Sequence, residues 1–465
     1  MPRILLIGAI VVVTVLVFLP TIHYALVYDD FEQIVTNPRL TAWSYLPGYF
    51  TTHLWAHSPL QPPNYYRPIF LVWLRLVEVA LGPPSTIWHL ASILTHLGAM
   101  IAGLMLVYRM TGDFIHAALA TALFAIHPIH TEPVAWISSA ADPLLTIFLV
   151  LSVYFYIDRK GPISFLSLLF TTLAMFTKEA GIVAPALILA YEWTQSGFKK
   201  AIAGVVPYFL PALLYMAFRM NALGNLATGV PPNMSVGAMV LTWPRVLAVY
   251  AAHLAWPFHL SVCYDVPIET ARWPLLLLIV AVAALTWAIR GSSANVRFGA
   301  AWFAITLVPS LGLRYLLTGD YVHDRYLYLP SFGLVLVFAV WLSRVRWTPA
   351  QVVIAGAITL AFCLGTRSNL RIWQNDVSLF QRAVETAPRN PYAKNNLADA
   401  YLKAHRESEA FPLLKEVIAL SPGYRLGYYN MGRYYQQTGD YVEAEHYFSI
   451  SDQMYYSQQL ERSLR

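Results

Sequence analysis

What most constrains this chain is a succession of apolar runs, several of them short for a bilayer crossing, spread over residues 4–366. A membrane helix needs about 20 apolar residues, fewer where the bilayer thins or flanking side chains snorkel. About eleven runs qualify, at residues 4–24, 86–108, 114–128, 143–157, 162–177, 180–195, 201–218, 274–290, 298–313, 326–343 and 349–366. Lipid tails offer no partner to a bare backbone N–H or C=O, so each run is expected to be a helix. The fold class that follows is all-α, with a polytopic membrane bundle over residues 1–366. Composition agrees: of 465 residues, 57% are hydrophobic and 12% charged, about half the charged share of a soluble chain.

Two further apolar stretches read differently. Ile69 to Leu81 is short, follows Pro68 and carries Arg75 and Glu78 midway, which suits a helix lying at the membrane interface. Val236 to Trp256 is long enough to span, but Trp243-Pro244-Arg245 and His253 interrupt it, so it too is expected to be interfacial or re-entrant. With these set aside, a cytoplasmic Arg3 puts Arg109, Arg159 with Lys160, Lys199 with Lys200, Arg290 with Arg297, and Arg344 in cytoplasmic connections, as the positive-inside tendency requires. The extracytoplasmic face, periplasmic or lumenal, then receives Asp29-Asp30, the 127–142 loop, Lys178-Glu179, residues 320–325 and the whole C-terminal tail. The first run begins after Met1-Pro2-Arg3 and ends in bulky Leu19-Pro20-Thr21-Ile22-His23 with no small-residue cleavage site, so it reads as a retained anchor. The net charge of +6 resides largely in short connections, so the expected partners are lipid headgroups and anionic substrates, with no nucleic acid. Cys263 and Cys363 lack metal-ligand spacing and imply neither a disulfide framework nor a zinc site.

From about Arg367 the chain changes character and repeats itself every 34 residues: Leu397 and Met431, Ala398 and Gly432, Tyr401 and Tyr435, Ala410 and Ala444, Leu414 and Phe448. Small residues where two helices cross and large ones between them form the tetratricopeptide pattern. Residues 367–465 are therefore expected to form a second domain, a short α-solenoid, with a surface for a partner protein.

The residues that could carry chemistry lie on the extracytoplasmic face. In "HYALVYDDFEQIVTNP", Asp29 and Asp30 follow the first run with no lysine or arginine nearby. One could take a proton from an acceptor hydroxyl while the other positions it or shifts its pKa by like-charge repulsion; alternatively they cap an interfacial helix or are solvated. Arg67 in "PNYYRPIF" suits a phosphate through its planar donor fork, or simply snorkels. His127, His130 and Glu132 share one loop and could meet a metal, but their spacing fits a hydrogen-bonded structural loop better. Asp142, just before Pro143, is either a helix cap or a second site carboxylate. Lys178 and Glu179 in "FTKEAG" pair with each other or face a wet cavity. Arg325 in "GDYVHDRYLYLP" is a second phosphate contact or a structural ion pair. No phosphate-cradling GxxxxGK(S/T) string occurs, which points away from a nucleotide-bound donor.

Together the strings "YDD…NP", "YYRP", "HPIHTEPVAWISSAAD", "TKEAGI" and "HDRYLYLP", followed by the repeats, resemble the transmembrane and tetratricopeptide-repeat O-mannosyltransferases, within the GT-C membrane glycosyltransferases. The resemblance covers nearly the whole chain. It implies a transfer of sugar from a polyprenyl-phosphate donor to a hydroxyl on an acceptor protein or glycan. It implies Asp29 as the catalytic carboxylate with Asp30 beside it, and Arg67, Lys178 and Arg325 near the donor phosphate. Asp142 falls on the family's second acidic position, with Glu132, His127, His130 and Glu179 in the substrate-facing loops. One departure stands out: Gly-Arg-Ala-Asp of many members reads Ser139-Ala140-Ala141-Asp142 here, without the arginine. No cofactor is implied, and a divalent metal is left open. The rival readings are a transporter or lipid flippase, which would place charges near the bilayer midplane, and a membrane-anchored tetratricopeptide scaffold.

Overall fold

Backbone groups that must find partners within their own segment leave the chain one solution, and the computed structural model is helical throughout, with no β-strand among the described residues. It describes residues 2–58, 64–82, 84–161, 163–224, 233–316, 320–345 and 347–463. Among them are eight helices long and apolar enough to cross a membrane, or nine if the bent pair Phe114–Ile126 and Pro128–Ala135 is one span. This is fewer than the eleven runs expected, for a local reason. Phe165–Thr177 and Trp273–Ile289 are apolar but only 13 and 17 residues long. The run at 180–195 is divided into a tight turn, Glu179–Val183, and a helix, Ala184–Ser196.

Val236–Ala255 is 20 residues long and apolar enough to span, and hydrogen bonds tie it to neighbouring segments. The Asn233 amide N–H donates to Arg314 O at 2.8 Å, the Trp243 indole to Leu311 O at 2.9 Å, and His253 Nδ1 lies 2.8 Å from Asp324 Oδ1. Arg245 Nε also donates to Glu269 Oε2 at 2.6 Å and Thr242 Oγ1 accepts from Glu269 N at 3.0 Å, so the helix is held as well by the segment that precedes Trp273–Ile289. Pro68–Leu81 is the other set-aside stretch; it buries Phe70, Leu71 and Leu74, and its Arg75 is buried as well, donating to Leu40 O and lying 5.1 Å from the Trp43 ring.

Close helix crossings depend on missing side chains. A Cβ on Gly299 would come within 2.7 Å of Gly333 O, and one on Gly333 would strike Gly299 O, so Ala294–Leu307 and Tyr328–Leu342 meet backbone to backbone. Small residues serve membrane helix packing in this way because burial against lipid gives little preference for one apolar contact over another. Gly181 does the same for the site: its Cβ would lie 2.5 Å from Ala174 O, so the Glu179–Val183 turn presses directly on the Phe165–Thr177 helix.

The chain separates into two compact units, Met1–Leu260 with Ile268–Thr318 and Asp324–Arg371, and Ser261–Pro267 with Gly319–His323 and Ile372–Arg465. The division comes after the helix Pro349–Leu370, a few residues beyond position 366. In the second unit the helices Asp376–Thr386, Pro391–Lys403, Glu407–Leu420, Arg425–Thr438 and Tyr441–Ser463 each pack on the next. Of the period-34 positions, Ala398, Ala410 and Leu414 are fully buried and Tyr435 and Phe448 half-buried, and a Cβ on Gly432 would lie 2.7 Å from the Phe448 ring.

Candidate active site

Pro20 ends the first helical run in a tight turn, Leu19–His23, and the chain then extends before reversing at Tyr28. Tyr28 holds φ at +55°, in the left-handed region that a bulky residue rarely enters, and its ring packs 5.3 Å from Trp136. Strained backbone of this kind is kept where the surroundings over-determine it, often beside a site. The next two residues are the acid pair, and they diverge.

Asp30 is fully buried and faces away from the cavity described below. Its carboxylate accepts from Ser138 N at 2.7 Å, Ser138 Oγ at 2.6 Å, Ile137 N at 3.3 Å and Val27 N at 3.5 Å. Burial pushes its pKa up to about 7, against these four hydrogen bonds. It clasps the first loop to the Ile137–Ser139 turn, so of the two acids only Asp29 borders the cavity.

Asp29 faces a cavity of about 300 Å³. Among the described residues nothing donates a hydrogen bond to its carboxylate. Burial pushes its pKa up to about 7, with Arg325 and Arg67 pulling it down and Glu32 raising it further. The side chain is only part-shielded from solvent by area, since it borders the cavity, but it is ringed by protein, and the ring sets its proton affinity.

The same cavity is bordered by Arg67, Asp142, Lys178, Glu179 and Arg325, so five more of the residues singled out in the sequence converge there. Each cation is held by a carboxylate. Arg67 Nε donates to Glu179 Oε2 at 2.9 Å and stacks 4.3 Å from the Tyr65 ring. Lys178 Nζ donates to Asp142 Oδ1 at 2.6 Å. Arg325 is gripped by Glu132, through both its guanidinium and its backbone N–H, the latter at 3.0 Å. Lys178 and Glu179 thus do not pair with each other: Glu179 joins Arg67 and, at 3.6 Å, Arg219. Asp142 lies in the first turn of Ala141–Ile157 and also accepts from Ser139 Oγ at 3.1 Å. Preformed pairs keep buried cations fixed in place, and a phosphate entering the cavity would meet guanidinium and ammonium groups already oriented.

Two expected residues stand elsewhere. His127 and His130 are outside the cavity lining. His130 Nδ1 lies 2.7 Å from Phe124 O and Nε2 3.1 Å from Ser331 Oγ, while His127 Nδ1 accepts from Ile129 N at 3.2 Å. They fold the loop that carries Glu132, the structural role their spacing favoured. Glu132 reaches the site only through Arg325. Among the described residues no three His, Cys, Asp or Glu side chains gather as metal ligands.

The sequence did not mark Gln33 and Trp55, which also line the cavity, nor the group that places Trp55. Arg39 is buried, and its guanidinium donates to His53 O at 3.1 Å, Leu54 O at 3.4 Å, Gly48 O at 3.2 Å and Thr52 Oγ1 at 3.1 Å, which folds the first loop so that Leu54 and Trp55 face inward. Gln33 could have been found from its offset of four from Asp29; Arg39 gives no sequence signal.

Comparison with known proteins bears on this geometry. No family model matches the chain. It is 25% identical to human protein O-mannosyl-transferase TMTC1 over 89% of its length, and 25% identical to Caenorhabditis elegans protein O-mannosyl-transferase F38B6.6 over 86%. Mouse protein O-mannosyl-transferase TMTC3 is 23% identical over 90% of the chain. The chain is a homologue of the TMTC proteins. It spans 51–60% of the length of these relatives. Among solved structures, ArnT from Cupriavidus metallidurans bound to undecaprenyl phosphate aligns with a TM-score of 0.42 at 15% identity, covering 94% of this chain and 77% of that one. The apolar helices of membrane-crossing length make the present chain an integral membrane protein.

Proposed function

We propose that the chain is a membrane glycosyltransferase that moves one sugar, mannose by analogy with its homologues' names, from a polyprenyl-phosphate carrier to a hydroxyl of an acceptor protein. The observation that carries this reading is the shared cavity, in which Asp29, a carboxylate that receives no hydrogen bond among the described residues, sits with Arg67, Lys178 and Arg325. The acceptor oxygen attacks the anomeric carbon as the bond from that carbon to the phosphate oxygen breaks. Asp29 takes the hydroxyl proton, and the polyprenyl phosphate leaves with one more negative charge than the diester carried. Arg67, Lys178 and Arg325 stabilise that charge where it develops. A single displacement of this kind inverts the anomeric centre.

The lipid-linked donor fits a cavity set among apolar helices, and the basic residues of the alternate connections support an extracytoplasmic cavity through the positive-inside tendency. The scheme uses no cofactor, because fixed cations supply the positive charge, and transfer is expected to persist in EDTA. Seryl or threonyl hydroxyls are the expected acceptors, with the C-terminal helices holding the polypeptide. Transfer from polyprenyl-phosphate mannose by purified wild type, and its loss in Asp29→Asn, tests the reading. Undiminished transfer by the variant would remove Asp29 from its role, and no transfer by wild type would remove the donor class.

A further inference from the structure

We propose that Gln33 reads the sugar: its side-chain carbonyl accepts a hydrogen bond from a ring hydroxyl of the donor, with the Trp55 indole beside it as an apolar wall. This rests on the glycosyltransferase reading above and adds a specificity-determining residue to it. The Gln33 amide N–H donates to Asp29 O at 2.8 Å, so one turn of the Phe31–Val35 helix sets the two side chains four residues apart on the same side. Both border the cavity.

Gln33 is 4% exposed, yet among the described residues no group donates to its Oε1. A buried carbonyl without a donor is unfavourable, and a methionine or leucine of similar size would fill the position at no such cost. Sequences accept such a cost where a ligand supplies the missing partner.

The chemistry of that ligand follows from what an amide carbonyl can do. It cannot accept from a phosphodiester, which carries only acceptors at neutral pH. It is also too weak a base to take the proton of the reacting hydroxyl, a task that falls to Asp29. What remains is a hydroxyl that does not react, and a hexose carries several. Trp55, 3% exposed and facing the same cavity, supplies the flat apolar surface that the C–H face of a pyranose packs against.

The test uses the full chain with polyprenyl-phosphate mannose and its 2-, 3-, 4- and 6-deoxy analogues. In wild type, kcat/KM is expected to fall about 30-fold for one of the deoxy donors relative to mannose, the scale of one hydroxyl hydrogen bond that the site is built to receive. Gln33→Met is expected to lose about the same factor with the mannose donor and to show no further loss with that deoxy donor. Without donor, its melting temperature is expected to equal or exceed that of wild type. A Gln33→Met variant that keeps the wild-type pattern of deoxy ratios overturns the proposal. So does one that melts earlier or fails to fold, since the amide would then serve the fold. Wild type that does not turn over polyprenyl-phosphate mannose overturns the functional reading itself, before any variant is compared.

Discussion

Asp29 and Asp30 are neighbours with opposite surroundings, and their substitution should separate the two roles. Asp29 has a raised pKa and no hydrogen-bond donor among the described residues; Asp29→Asn is expected to lower kcat by about 10³-fold, within the usual range for a lost general base, while leaving the melting temperature unchanged or higher. Asp30 receives four donors, and an asparagine would turn an NH2 group towards backbone N–H groups. Asp30→Asn is therefore expected to destabilise the fold by about 2–4 kcal/mol, read as a lower melting temperature before any loss of activity is interpreted. A pH profile follows from the same environment. Burial raises the Asp29 pKa to about 7, so the base is protonated and idle below that value and free above it. The value of kcat/KM should rise about tenfold per pH unit up to about pH 7 and then level off, since this ratio reports the free enzyme. A base with an ordinary carboxylate pKa would give a flat profile from pH 5 upward. None of this divergence was legible in the string "YDD": only the resemblance ranked the first acid above the second, and only the contacts of Ser138 explain why.

At the scale of elements, hydropathy located the helices because a bilayer-length apolar run has one stable form, but it could not see where a run is broken by tertiary contact. The "TKEAG" turn is such a break, and it is what carries Lys178 and Glu179 to the cavity. Its glycine admits no side chain, because the nearest atoms, Ala174 O, Ala174 C and Met175 Cα, are all backbone, at 2.5–2.7 Å from a Cβ. Gly181→Ala is expected to cost about 1–3 kcal/mol through overpacking and to lower transfer by moving the Arg67–Glu179 and Lys178–Asp142 pairs. Gly161→Ala, where nothing lies within 4 Å, is the matched control and should leave both unchanged. Equal behaviour of the two variants in melting and transfer assays would show that the turn does not set the site. Polar residues at helix ends were legible as a group, since charge beside a membrane is costly unless used. Their partners were not, because Glu132 with Arg325 and Arg67 with Glu179 are separated by 193 and 112 positions, and no local pattern joins residues so far apart.

For the whole molecule, the distribution of charge predicts which way the protein lies in its membrane. If all eleven apolar runs of the sequence cross, Arg109, Arg159, Lys199, Lys200 and Arg344 stand at run ends that alternate with those carrying Asp29, Asp142, Lys178 and Arg325, and positive ends are retained on the cytoplasmic side. On the proposed function, a donor whose lipid tail anchors it in the far leaflet would meet the cavity from that face, so the proposed orientation and the proposed chemistry stand or fall together. Lys200 and Glu443 are both exposed and can be replaced singly by cysteine in a background with Cys263 and Cys363 changed to alanine. In intact cells or sealed vesicles of known orientation, a membrane-impermeant maleimide is expected to label position 443 directly and position 200 only after permeabilisation. Labelling in the reverse order would turn the cavity towards the cytoplasm, where a nucleotide-sugar donor would be at hand and the requirement for a lipid carrier would lose its physical basis.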